Sequence, residues 1–171
     1  MTDKQHALEL FPRDVDAIVA ELGLPHFAGK QILDWIFTKQ VDSVDAMSNI
    51  AKKHRLILED RLLLRRSRVV TTQNASDGTV KKLLAWDDGT KRTESVMIPA
   101  KGRRTACVSS QVGCPVGCTF CASGIGGLEG NLSVGQIVEQ VVSMGAGEIT
   151  NIVFMGMGEP LANYNAVTRA I

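Results

Sequence analysis

Four cysteines lie within fifteen residues of this 171-residue chain, and their spacing is its most informative chemical feature. The last three, Cys114, Cys118 and Cys121, form the pattern C-x3-C-x2-C. Three thiolates can hold a 4Fe-4S cluster and leave one iron open for a substrate or cofactor. Glycine and proline between the sulfurs let the backbone pass close to a large inorganic core. The spacing therefore favours a catalytic iron–sulfur site.

Two other uses of the cysteines compete with this interpretation. A structural disulfide is disfavoured, because no signal peptide precedes the cysteines and cytosolic thiols stay reduced. A zinc site with Cys107 as the fourth ligand stays open, although structural zinc sites usually combine two close pairs separated by a longer loop.

A second motif follows 38 residues after the last cysteine. The apolar run 150–155 has the length and composition of a parallel strand buried on both faces. It leads into Gly158, Glu159 and Pro160, so Glu159 comes where α/β sheets and barrels place their ligands. A carboxylate there can accept hydrogen bonds from a cationic amino group. The alternative is a turn carboxylate before a helix whose first position is Pro160.

Together the two motifs resemble those of the radical S-adenosylmethionine enzymes. The resemblance implies that Cys114, Cys118 and Cys121 hold the 4Fe-4S cluster, and that S-adenosylmethionine chelates the open iron. It also implies that Gly158 and Glu159 contact the amino group of that cofactor. One electron from the reduced cluster would then cleave the sulfonium and produce a 5′-deoxyadenosyl radical, so the hard chemistry belongs to the cofactors.

Longer segments carry a closer resemblance. They are 27–37 (FAGKQILDWIF), 94–99 (ESVMIP), 107–122 (CVSSQVGCPVGCTFCA) and 155–161 (MGMGEPL). These segments are similar to the bacterial dual-specificity methyltransferases that modify C2 of adenine in 23S ribosomal RNA and transfer RNA. Cys107, seven residues before the first cluster cysteine, is not general to the radical enzymes, so this resemblance is the more specific one.

This resemblance implies catalytic roles for Cys107 and Glu94. In that family a cysteine near the C-terminus is methylated first, and the radical activates its methyl group for addition to C2. Cys107 matches the residue that removes the C2 proton, which needs a base within hydrogen-bond reach. It would then resolve the adduct through a disulfide bond with the methyl carrier. Glu94 matches a proton acceptor, whereas its residue type and position alone favour an exposed strand carboxylate.

The resemblance also implies the partners of the complete enzyme. Its substrates would be 23S rRNA and tRNA, and its reductant a donor such as flavodoxin or ferredoxin. A cytoplasmic monomer without membrane contact is expected. No apolar stretch approaches the roughly eighteen residues that a membrane span requires.

One departure from the family concerns the methyl-carrying cysteine. All four cysteines already have positions in the pattern, and none lies near the C-terminus. A radical-enzyme barrel also needs about six strand–helix units, and only two strands fit after Cys107. We therefore expect the N-terminal half of a longer enzyme, inactive alone. An adenine-C8 methyltransferase of the same superfamily and a non-catalytic fragment that binds RNA or a cluster remain as alternatives.

Charge is distributed unevenly along the chain. The formal net charge is only +1, but residues 52–104 carry fourteen of the nineteen Lys and Arg side chains and six acidic ones. Such a block can meet RNA phosphates, or it can be an ordinary solvated surface.

Periodicity predicts an α/β fold in three parts. Residues 1–66 form a helical accessory domain, 67–104 a β-hairpin connector with a basic surface, and 105–171 the start of a partial (β/α)6 radical-enzyme barrel. Helices are expected over 12–22 and 28–38, within 42–63, and from a capping box at Ser133 and Gln136 to about residue 144. The predicted strands are 68–72, 80–86, 93–99, 105–110 and one beginning at residue 151.

Overall fold

The computed structural model describes residues 4–171. The chain divides into two compact units, with the border between Arg66 and Ser67. The predicted α/β fold class is confirmed, since the first unit is mainly helical and the second is built on a sheet. No helix within residues 4–171 is both long and apolar enough to cross a bilayer.

The first unit contains three α-helices and one short parallel pair of strands. The pair joins β1 (Gln5–His6) to β2 (Leu62–Leu63). The helices are α1 (Pro12–Glu21), α2 (Phe27–Leu33) and α3 (Lys52–Arg61). The expected helix over 28–38 is present, but its second half, Asp34–Thr38, is a π-helix.

Local sequence explains the ends of α1. Pro12 occupies the first helical position, where its missing N–H costs no hydrogen bond. The carboxylate of Asp14 accepts a hydrogen bond from the Phe11 N–H at 2.9 Å. After the helix, Gly23 adopts a φ of +61°, the left-handed conformation that often ends a helix.

The second unit is organised around a five-stranded sheet. In their order across the sheet, the strands are β3 (Ser67–Asn74), β4 (Val80–Trp86), β5 (Arg92–Ala100), β6 (Arg103–Cys107) and β9 (Asn151–Val153). The first four strands form an antiparallel meander, and β9 pairs in parallel with β6. The predicted border between the β-hairpin connector and the barrel, at residues 104 and 105, falls inside β6. The sheet therefore continues from one predicted part into the other.

The strand predicted over 105–110 is wrong beyond Cys107. The chain bends at Ser109 and Ser110 and then forms a separate strand, β7 (Gln111–Gly113). This strand pairs with β8 (Leu128–Asn131). The bend occurs because residues 108–111 make hydrogen bonds to the segment that follows β9 rather than extending β6.

Two helices complete the second unit: α4 (Val134–Ser143) and α5 (Tyr164–Ala170). The predicted capping box of α4 is confirmed, because the Ser133 hydroxyl and the Gln136 amide each accept the other residue's backbone N–H. One face of the sheet packs against these helices. The buried core there consists of Leu84, Trp86, Val112, Leu132, Ile137 and Val167.

The outer edge of β9 is apolar and accessible. Ile152 is 51% exposed and Met155 is 80% exposed. A groove of about 360 Å³ lies beside them, lined by apolar side chains from α4, the β9 region and α5. Within residues 4–171, β9 has a paired neighbour on one side only, β6.

Candidate functional site

The candidate residues meet at the carboxyl ends of two neighbouring parallel strands. Cys107 is the last residue of β6 and is the register partner of Val153, the last residue of β9. The Gly158–Glu159 turn follows β9 after four further residues, and the segment that leads to Cys114 follows β6. Parallel pairing therefore brings both motifs to one edge of the sheet, where α/β folds hold ligands.

Ser109 makes hydrogen bonds to three segments near this edge: strand β5, the segment that follows β9, and helix α4. Its hydroxyl donates to the Glu94 carbonyl oxygen at 2.7 Å and accepts the Met157 N–H at 2.9 Å. Its backbone N–H donates to the Gln140 side-chain oxygen at 2.8 Å, and its carbonyl accepts from the Gln140 amide at 2.9 Å. Ser109 and Gln140 are both fully buried, so the two bonds between them are shielded from water.

Gly158 lies against this segment with no room for a side chain. Its φ is +95°, a conformation that glycine adopts at little cost. A Cβ added there would lie 2.5 Å from the Gln111 Cβ and 2.8 Å from the Ser110 hydroxyl oxygen. The turn can therefore follow this path only with glycine at position 158.

Glu159 begins the next helical turn. Its side chain accepts the Leu161 N–H at 2.9 Å, and Pro160 holds the first position of the 3-10 helix Pro160–Asn163. This is the geometry of the alternative interpretation, in which Glu159 is a turn carboxylate that precedes a helix. The assigned cofactor contact of Gly158 and Glu159 stays a prediction.

The three predicted cluster cysteines lie on one irregular loop between β7 and β8. The Cys114 N–H donates to the Gly127 carbonyl oxygen at 3.0 Å, and the Cys121 N–H donates to the Cys118 carbonyl oxygen at 3.1 Å. A hollow of about 410 Å³ adjoins Cys118 and Cys121 and is lined by glycines and small side chains together with Phe120 and Ile125. All four cysteines are free thiols.

The chemistry of the donor set fits a 4Fe-4S cluster. The loop carries three free thiols, Cys114, Cys118 and Cys121. A 4Fe-4S cluster binds each thiolate through a different iron, and three thiolates leave one iron open. Among the residues that the structure describes, no three His, Cys, Asp or Glu side chains converge on one metal position. The ligation of a cluster by these three cysteines stays a prediction.

Cys107 stands apart from this loop and is partly buried. Burial raises the pKa of its thiol above the ordinary value, and the backbone N–H of Met155 partly opposes that rise by hydrogen bonding to the sulfur. The thiol is therefore held mainly in its protonated form at neutral pH. A role as base requires an event that stabilises the thiolate, such as cofactor binding nearby.

Glu94 shares one face of the sheet with Cys107 but is not bonded to it. Cys107 pairs with Val96, and Glu94 lies two residues from Val96, so alternation places both side chains on the same face. The Glu94 carboxylate instead accepts from Lys81 Nζ at 3.0 Å. The side chain of Glu94 is 49% exposed.

Sequence reasoning missed the buried residues that hold the site together, above all Ser109, Gln111 and Gln140. A signal was present in the polar run Ser109-Ser110-Gln111, which interrupts an apolar stretch. All three residues of that run are buried, and buried polar side chains need partners.

Each of the two units contains a segment that matches a protein-family model. Residues 8–64 match the ribosomal RNA large subunit methyltransferase N-terminal domain. Residues 108–171 match the radical SAM superfamily.

Curated relatives are similar over nearly the whole chain. The dual-specificity RNA methyltransferase RlmN of Thermotoga neapolitana is 43% identical over 171 residues, which cover 98% of this chain and 50% of the relative. The corresponding protein of Parabacteroides distasonis is 41% identical, with 100% of this chain and 50% of the relative covered. The chain thus spans about half the length of the curated relatives it matches.

A solved structure agrees with this relationship. The crystal structure of a radical SAM methyltransferase from Sphaerobacter thermophilus superimposes with a TM-score of 0.87 and 39% identity. The match covers 95% of this chain and 50% of that one. The chain therefore belongs to the radical SAM superfamily. Within it, the chain corresponds to the N-terminal half of the dual-specificity RNA methyltransferases.

Proposed function

We propose that this chain forms the cofactor-binding half of an enzyme that methylates C2 of adenine in 23S rRNA and tRNA. The observation that carries the proposal is the junction at residues 109–111. These residues lie in the chain between Cys107 and the loop of three cysteines, and their hydrogen bonds to Met157 and Glu159 attach that segment to the Gly158–Glu159 turn. A motif match alone would not require such a junction.

The cofactors would bind on two sides of this junction. Cys114, Cys118 and Cys121 would hold a 4Fe-4S cluster, and Gly158 and Glu159 would contact the amino group of S-adenosylmethionine. When bound, these groups supply one-electron cleavage of a sulfonium and a carbon-centred radical. The chain's own contribution is to fix the distance between the cysteine loop and the turn.

The open face of the sheet would receive the target adenine. Cys107 and Glu94 point from this face, and we assign them to removal and acceptance of the C2 proton. The Glu94 carboxylate forms an ion pair with Lys81 Nζ at 3.0 Å. Cys107 must lose its own proton before it can act, because its raised pKa favours the thiol.

RNA contact fits the charge distribution. Residues 52–104 carry fourteen of the nineteen basic side chains, and lysine and arginine neutralise phosphates independently of base sequence. For the complete enzyme we propose 23S rRNA and tRNA as substrates, and flavodoxin or ferredoxin as the electron donor. We further propose a monomer that works in the cytoplasm, where these RNAs are made.

Product analysis tests the proposed reaction. A polypeptide that contains this chain together with a methyl-carrying cysteine is incubated anaerobically with tRNA or an rRNA fragment and S-adenosylmethionine labelled in its methyl group. Nuclease digestion should release labelled 2-methyladenosine, and Cys107→Ala should abolish its free release. Labelled 8-methyladenosine would instead identify the adenine-C8 reaction and contradict the proposal.

A further inference from the structure

The fully buried side chain of Gln111 lies between the cysteine loop and the Gly158–Glu159 turn. Its Oε1 accepts the Glu159 N–H at 2.8 Å, and its Nε2 donates to Asn131 Oδ1 at 2.7 Å. Gln111 also lies only three residues before Cys114. Both polar atoms of the Gln111 side-chain amide therefore have hydrogen-bond partners, and one of these partners belongs to the turn itself.

The backbone beneath the turn is fixed by the same residue. The N–H groups of Ser110 and Gln111 both donate to the Met157 carbonyl oxygen, at 2.9 and 3.3 Å. Gly158 lies so close that an added Cβ would be 2.7 Å from the Gln111 backbone nitrogen. A displacement of Gln111 would therefore move Met157, Gly158 and Glu159 together.

We infer that Gln111 is a positioning residue that sets the Gly158–Glu159 turn for the amino group of S-adenosylmethionine. This inference rests on the proposed function. Gln111 itself would touch neither the cofactor nor the cluster, and it acts by holding the Glu159 backbone. Its placement on the strand leading to Cys114 keeps the turn at a constant distance from the cluster ligands.

Gln111→Leu is the informative change, because it keeps the volume but leaves the partly buried Glu159 N–H without its acceptor. We expect affinity for S-adenosylmethionine to fall about tenfold or more, since one buried hydrogen bond left unmade corresponds to about that factor. Iron loading should stay at the wild-type level. Gln111→Glu keeps an acceptor for the same N–H and should recover most of the affinity.

Gln136→Leu provides the matched control. Gln136 is also a buried glutamine of the second unit, and its Oε1 accepts the Ser133 N–H at 2.9 Å, away from the turn. This variant should lose stability without losing S-adenosylmethionine affinity. The control separates a local effect on the turn from general destabilisation.

The experiment uses the 171-residue chain reconstituted anaerobically with iron and sulfide. Iron per chain, the unfolding midpoint, and binding of S-adenosylmethionine by equilibrium dialysis and by the electron paramagnetic resonance spectrum of the reduced cluster are measured. Equal affinity in Gln111→Leu and wild type, or equal losses in Gln111→Leu and Gln136→Leu, would overturn the inference while leaving the proposed function standing. Wild-type chain that binds no iron, or binds iron but no S-adenosylmethionine, would overturn both.

Discussion

Replacing Gly158 by alanine should destabilise the second unit through two additive effects. The φ of +95° imposes about 1–2 kcal/mol of strain on any residue with a Cβ. The new Cβ would also lie 2.5 Å from the Gln111 Cβ, and overpacking of this kind costs about 1–3 kcal/mol. Alanine also restricts the unfolded chain more than glycine does, and this offsets the destabilisation by about 0.4–1 kcal/mol. We therefore expect the free energy of unfolding to fall by about 1–5 kcal/mol.

Alanine substitutions at Gly126 and Gly127, which are adjacent in the chain, separate the backbone strain from the overpacking. Gly126 has open space around its Cβ position and no positive φ, so Gly126→Ala should leave the unfolding free energy unchanged or raise it slightly. Gly127 also has open space, but its φ is +72°. The difference between Gly127→Ala and Gly126→Ala should therefore show the strain alone, about 1–2 kcal/mol.

Tryptophan fluorescence during urea unfolding measures these changes. The chain has two tryptophans, and in a Trp35→Phe background only Trp86 remains. Trp86 is fully buried in the core of the second unit, so it reports on that unit. If Gly158→Ala unfolded within about 0.5 kcal/mol of Gly126→Ala, the close packing of the turn on Gln111 would be refuted.

Two further predictions concern reactivity and activity. Alkylation of Cys107 by iodoacetamide in the folded, cluster-free chain should reach half its maximal rate at a higher pH than in the urea-unfolded chain, because burial raises the folded pKa. The stability linked to this thiol is complete below the unfolded pKa of about 8.5 and is lost as pH rises through the folded value. Peptide mass spectrometry that finds equal midpoints would contradict this. The 171-residue chain alone should transfer no labelled methyl group to RNA, even with cluster, reductant and S-adenosylmethionine, because we assign its four cysteines to other roles than carrying the methyl group. Incorporation of label at adenine C2 would refute that assignment.

Features with local signals could be predicted from the sequence. Strand β4 has the predicted bounds because the turn signals Asp77-Gly78 and Asp88-Gly89 flank it, and the capping box of α4 follows from Ser133 and Gln136. The spacing of the three cysteines predicts a cluster on one loop; the loop is present, and the ligation of a cluster by these cysteines stays a prediction. These signals need only nearby residues.

The internal support of the site could not be predicted in this way. Ser109 and Gln111 bond to Met157 and Glu159, each 48 positions further along the chain. Only the parallel pairing of β6 with β9 brings these segments together. The same long-range bonds explain why the strand predicted over 105–110 ends early. Hydrogen bonds of this range leave no periodic trace in the sequence.

The central claim is that Cys114, Cys118 and Cys121 hold a cluster from which Cys107 is excluded. Iron analysis and electron paramagnetic resonance of the reconstituted chain test it directly, with each of the four cysteines replaced in turn by alanine. Wild type and Cys107→Ala should each bind roughly four irons with a 4Fe-4S signal, and the other three variants should lose that signal. Loss of the cluster in Cys107→Ala to the same extent, or a colourless protein containing zinc, would contradict the account.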